Sequence, residues 1–214
     1  MWGYVIPYLL QDTPDPRTGK VRTSYNILIH SQRGHGKSTL PDEPTTISSL
    51  AYDITHLLPH LNIPTPVQAI VGVSQGGAAA LAFSQMSPEK ARSVVACDTS
   101  AKTPSGNREA WAGRIGMVYG GVTGDAILQE GTKDGEVGKG AEYATKVGMG
   151  KLGTATVSRW FPSPSKCANG EAERADRAQW LREMVEKTPV GGFVAGAGAL
   201  SNYNLLDGRL ITLG

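Results

Sequence analysis

Residues 67 to 98 read VQAIVGVSQGGAAALAFSQMSPEKARSVVACD. Two short apolar runs, VQAIVGV (67 to 73) and RSVVACD (92 to 98), flank GGAAALAFSQM, a stretch of small and apolar residues suited to a helix packed close on a sheet. Apolar runs of this length without alternation belong to strands buried on both faces, as parallel strands are. Parallel neighbours need a crossover between them, and a helix supplies it. Strand, helix, strand therefore predicts an α/β chain with a parallel sheet and right-handed connections.

The rest of the chain extends this pattern. A Pro/Asp/Gly-rich loop over residues 12 to 24 leads into YNILIH, an apolar, β-branched run bounded by turn residues that predicts a further buried strand. In TTISSLAYDITHLLPHL, Ile47, Leu50, Ala51, Ile54, Leu57, Leu58 and Leu61 recur at three- and four-residue steps behind Thr45 or Thr46 as N-cap, which predicts an amphipathic helix. After residue 100 the character changes. GTKDGEVGKG has neither periodicity nor a core face and predicts a surface loop, whereas AERADRAQWLREMVEK predicts a helix. The organisation expected is a core over 1 to 106, a mainly helical cap or lid over 107 to 200, and the start of a returning core segment over 201 to 214.

The loop SQRGHGKSTL (31 to 40) contains GKST, the end of a phosphate-binding loop. That pattern needs a glycine five residues before its second glycine, so that successive N–H groups curl around the phosphates. Ser31 stands there instead, and Gln32, Arg33 and His35 would narrow the cradle. The half-motif is weak support for a nucleotide site.

Whole-chain properties exclude several classes. The 214 residues suit one domain, or a domain with a small accessory lobe, with 40% apolar and 19% charged residues, as in ordinary globular proteins. A net charge of +2 without Lys/Arg runs gives no footprint for nucleic acid or anionic lipid. Cys97 and Cys167 form no disulfide framework, and no Cys/His cluster suggests a metal. MWGYVIPYLL is too short for a membrane span and lacks the basic start of a signal peptide. A reducing, cytoplasmic location is the expectation.

GVSQG (72 to 76) fits G-x-S-x-G and lies between a predicted strand and a predicted helix. A sharp turn there would hold Ser74 in a strained conformation with its hydroxyl exposed at the C-terminal edge of the sheet. The Gln75 N–H, at the helix start, would face a developing oxyanion. The bland alternative is a glycine-rich turn with an incidental serine.

HSQRGHGKS, the helix after it, IVGVSQGG, VVACDTSAK, NREAWAGRI and SRWF, in that order, resemble the α/β-hydrolase fold and, within it, 3-oxoadipate enol-lactonases and their fungal relatives. The resemblance is strongest over residues 25 to 115 and is interrupted around 117 to 141. It implies a partial α/β-hydrolase fold, a mainly parallel sheet with flanking helices and a helical cap. It also implies that the RGHG loop supports the active-site edge, leaving Lys37 and Ser38 as residues of the loop and the helix start. The activity implied is hydrolysis of a small-molecule ester or enol-lactone through an acyl-serine. Ser74 is then the nucleophile, Gln75 N–H the oxyanion donor, and Trp160 with Phe161 an apolar wall; water is the second substrate and no cofactor is needed.

The same resemblance exposes a gap. The fold's triad runs Ser, then Asp or Glu, then His, yet His30, His35, His56 and His60 are the chain's four histidines and all precede Ser74. The HG loop that gives the family its second oxyanion donor is also outside the matching pattern. The expectation is a truncated or spliced form, inactive as it stands, rather than a designed pseudoenzyme. His35 is either structural or a substitute base, and Asp98 either a strand-end turn residue or an alternative acid. A second function stays open: a non-catalytic binding or regulatory remnant. Unpaired sheet edges add an expectation of self-association.

Overall fold

The computed structural model describes residues 2–12, 14–15, 17–21, 25–121, 124–130, 142–161 and 172–207. Compactness divides the chain after Ser31. In the first unit, a single 3₁₀ turn (Trp2–Tyr4) precedes the short helix α1 (Ile6–Leu9), and Pro14 and Val21 form an isolated antiparallel bridge. The strand expected over YNILIH is not formed: residues 25–30 join no ladder, and Leu28 and Ile29 are 43% and 52% exposed. β-Branched and apolar composition favours extended backbone, but a strand exists only where a neighbour completes its hydrogen bonds.

In the second unit α2 (Ile47–His60) starts at the predicted cap. Thr46 Oγ1 accepts from the Ser49 N–H and Ser49 Oγ accepts from the Thr46 N–H, both at 2.9 Å, a reciprocal capping box. The apolar stripe Ile47, Leu50, Ala51 and Leu58 is buried against Ala78, Ala79, Ala82 and Phe83 of α3 (Gln75–Met86). α3 is the crossover between β1 (Ile70–Val73) and β2 (Val94–Cys97), which pair in parallel with Ile70 opposite Val94 and Val73 opposite Cys97. A bridge between Val67 and Ala91 prolongs the pairing.

The two strands are not buried on both faces. Ile70 packs into the α2–α3 core, while the register partners Val71 and Val95 are 46% and 45% exposed. An apolar run does not distinguish one covered face from two, because the second layer comes from residues remote in the chain.

From residue 107 the described residues contribute α4 (Asn107–Val118), α5 (Gly124–Glu130), a π-helical turn (Ala144–Gly148) running into α6 (Met149–Trp160), α7 (Ala172–Glu186) and α8 (Val190–Ser201). Ile115, Val118, Tyr119, Met149, Leu152, Val194 and Ala197 share a second core cluster. α8 serves both cores, since Ala199 belongs to the first. Its glycines permit close approach: a Cβ on Gly192 would overlap the carbonyl of Gly34, itself at φ 73°. The RGHG loop thus packs backbone-to-backbone on a helix, and the space a phosphate cradle would need at Gly34 is filled. The predicted loop 131 to 140, Cys167, and the returning segment from residue 208 lie outside the described residues.

Candidate active site

Ser74 joins β1 to α3 at φ 54°, ψ −120°, backbone angles that glycine takes far more readily than a residue with a side chain. The turn is this sharp because Gly72 and Gly76 touch. A Cβ on Gly72 would overlap the Gly76 carbonyl and lie 2.7 Å from Gly77 N. Ser74 holds its place through its backbone: its N–H donates to Cys97 O at 2.9 Å and its carbonyl accepts from Ala78 N at 3.0 Å. The side chain makes no cap bond to α3 and is exposed.

Gln75 is the first residue of α3, so its N–H has no carbonyl partner within the helix. Its side chain is anchored elsewhere, with Nε2 donating to Gly196 O at 3.1 Å. The amide of Gln75 is therefore aimed by the helix and steadied by α8.

Ser74 opens onto a cavity of about 240 Å³ lined by Asp98, Thr99, Ser100, Pro104, Asn107, Trp111, Leu200 and Tyr203. Asp98 ends β2 as Ser74 ends β1, and it too has a positive φ, 46°. The far wall is tied to the near one by a short antiparallel pairing. Thr103 N donates to Tyr203 O, Leu205 N donates to Ala101 O, and Tyr203 N donates to Thr103 Oγ1, each at 2.8 Å. The Leu200 carbonyl accepts from both Thr103 Oγ1 and Asn107 Nδ2 at 3.1 Å. Tyr203 OH donates to Ser100 O at 2.9 Å, and burial pushes its phenol above the usual value, partly offset by a hydrogen bond with Thr99.

The structure gathers the predicted site residues unequally. Ser74 and Asp98 share the cavity. His35 does not line it, and its Nδ1 lies 3.1 Å from Arg33 O in its own loop. Arg33 in turn forks onto Asp53 of α2, with Nε donating to Oδ2 at 2.8 Å, so the loop is fastened from both sides. Trp160 is 45% exposed, and neither it nor Phe161 is among the lining residues. Trp111, Asn107 and Tyr203, which do line it, were not singled out as site residues from the sequence. NREAWAGRI carried the first two as a family marker only, and Tyr203 has no local signal. Among the described residues no group of three or more His, Cys, Asp or Glu side chains is placed to hold a metal. No helix among them is long and apolar enough to cross a membrane.

The alpha/beta hydrolase fold family matches residues 1–189. A 94-residue stretch is 34% identical to 3-oxoadipate enol-lactonase 2 of Acinetobacter baylyi, covering 44% of this chain and 34% of that protein. Among solved structures, the enol-lactonase from Burkholderia xenovorans superposes with TM-score 0.59 at 21% identity over 83% of this chain and 55% of that one. A thermophilic esterase from Thermogutta terrifontis gives 0.58 at 20% identity over 81% and 52%. The chain thus spans about a third of the curated relative and about half of the solved ones.

Proposed function

The chain belongs to the α/β-hydrolase fold family, and from that premise we propose that its site is built for hydrolysis of a carboxylic ester or lactone through an acyl-Ser74 intermediate. One observation carries this reading: an exposed serine hydroxyl on a strained strand-to-helix turn, engaged in no cap bond and opening onto a cavity. Ser74 Oγ attacks the acyl carbon. The carbonyl oxygen gains negative charge and is met by the Gln75 N–H at the start of α3, where the helix dipole adds to the donor. The ester or lactone C–O bond then breaks, its alcohol or enol oxygen leaving with the proton that Ser74 gives up, and water hydrolyses the acyl-Ser74 bond to free the acid and restore the hydroxyl. The relative named as an enol-lactonase makes an enol-lactone a specific candidate substrate, and Trp160 with Phe161 remain a proposed outer wall. A cytoplasmic site of action is proposed from the cysteine usage, and self-association from the open face at Val71 and Val95.

A second reading, a binding form without turnover, is favoured by the absence of histidine from the residues lining the cavity. A serine hydroxyl without a base is a weak nucleophile near neutral pH. Reaction of the 214-residue chain with a fluorophosphonate probe separates the two. Labelling at Ser74 faster than free serine supports the activated nucleophile, and labelling no faster supports the binding form.

A further inference from the structure

The Gln75 N–H serves an oxyanion only if it is held where the charge appears, and the backbone just before it is strained at Ser74. A strained turn stays in place when contacts outside it over-determine it. For Gln75 the outside hold is its own side chain, whose Nε2 reaches 121 residues along the chain and donates to the Gly196 carbonyl at 3.1 Å. Gly196 is buried in α8 and shares a helix face with Gly192 and Leu200, four residues to either side. Gly192 sits against the Gly34 backbone, and the Leu200 carbonyl accepts from Thr103 and Asn107. The carbonyl that Gln75 grips is therefore anchored one turn away in both directions. Its two lone pairs let it serve Gln75 without leaving the α8 ladder.

The missing side chain at 196 belongs to the same contact. A Cβ there would lie 3.1 Å from both Nε2 and Oε1 of Gln75 and 3.5 Å from Cδ. The carboxamide would have to move aside, and its bond to the carbonyl would go with it. At Gly198, two residues on in the same helix, a Cβ would meet nothing within 4 Å. Alanine is the better helix former at both positions, so helix formation gives glycine no advantage at either. The geometry points to Gly196 as a positioning residue for the oxyanion donor: it admits the Gln75 carboxamide, and through that bond it fixes the direction of the Gln75 N–H. This role rests on Ser74 being the nucleophile and Gln75 N–H its donor. Because Leu200 lines the cavity, the nucleophile turn and the cavity wall then share one rigid support.

The probe is n-butaneboronic acid, titrated against the full 214-residue chain and followed by boron and amide-proton NMR. Ser74 Oγ forms a bond to the trigonal boron, no bond to boron breaks, and the hydroxyl proton passes to the buffer. The anion formed places a boron-bound oxygen where the oxyanion would stand. The wild-type chain is expected to give tetrahedral boron that Ser74→Ala lacks, with the Gln75 amide proton moved downfield. Gly196→Ala, and Gln75→Met, which keeps the length without the donor, are each expected to weaken the adduct about tenfold, the scale of one hydrogen bond. Both are expected to shrink the downfield move at Gln75, which a general loosening of the fold would not single out, and Gly198→Ala to change neither quantity. Gln75→Met carries the test if Gly196→Ala does not fold. Wild-type affinity in the folded variants overturns the proposal and leaves the nucleophile standing. Boron that stays trigonal with the wild-type chain sinks the nucleophile instead. The hold on Gln75 is then read in the free chain: faster solvent exchange of its Nε2 hydrogens in Gly196→Ala than in Gly198→Ala supports it, and equal exchange overturns it.

Discussion

Ser74 and Asp98 stand side by side at the ends of parallel strands, one residue beyond the register pair Val73–Cys97, and both hold a positive φ, 54° and 46°. Strained residues of this kind persist where the surrounding fold over-determines them and cluster at working sites. Here the fold does so through the Ser74 N–H to Cys97 O bond, which locks the two strand ends together.

The strain at Ser74 is measurable. Relief of an unfavourable φ is worth about 1–3 kcal/mol, and glycine gives back about 0.5–1 kcal/mol in unfolded-state entropy. Ser74→Gly is therefore expected to stabilise the chain by about 1 kcal/mol while removing any labelling at this position. Urea unfolding of the two proteins checks it; a destabilised glycine variant contradicts the strained turn.

Gly72 behaves oppositely. Its missing side chain is required by the Gly76 and Gly77 backbone, which has no flexible end to move aside. Overpacking costs about 1–3 kcal/mol where a side chain can yield and more where it cannot. Gly72→Ala is expected to cost at least about 3 kcal/mol, read as a lowered urea midpoint or loss of soluble protein. A near-neutral result shows that the turn opens more easily than this close approach implies.

Tyr203 predicts a pH dependence. Its folded-state value is raised, chiefly by burial, whereas the unfolded phenol ionises near about pH 10. Above that pH the unfolded chain binds fewer protons than the folded one, so stability is fully present below about pH 10 and is lost as pH rises towards the folded value. Tyr203→Phe is expected to lose about 1 kcal/mol at neutral pH with the bond to Ser100 O, and to show a shallower decline above about pH 10. Parallel slopes in the two proteins would remove Tyr203 as the cause.

Activity follows from the order of residues. With every histidine before Ser74 and none lining the cavity, the 214-residue chain is expected to show no measurable hydrolysis of p-nitrophenyl esters or enol-lactones. Loss of a triad base removes several orders of magnitude in rate. Turnover that disappears in Ser74→Ala would overturn this and point to a base within the chain.

Much of this was readable in the residues because the deciding constraints are local. The Thr46 cap, the α2 stripe and the glycines around Ser74 each act within a few residues of chain, so the sequence displays them directly. YNILIH was misread because strand formation depends on a partner that composition does not encode. The cavity wall was missed for the same reason: Tyr203 reaches Ser100 and Thr103 from about a hundred residues away, and nothing near Tyr203 announces it.

The antiparallel pairing of residues 101–103 with 203–205 also dictates an order of events during synthesis. Ser74, Asp98 and the loop beyond them leave the ribosome well before Tyr203 exists. Closing a segment of this length costs entropy that is repaid only when the distant contacts form. The elbow and its helix can form early from local contacts, while the cavity has one wall until residues 200–205 arrive. A nascent chain stalled before α8 then presents Ser74 on a half-built cavity.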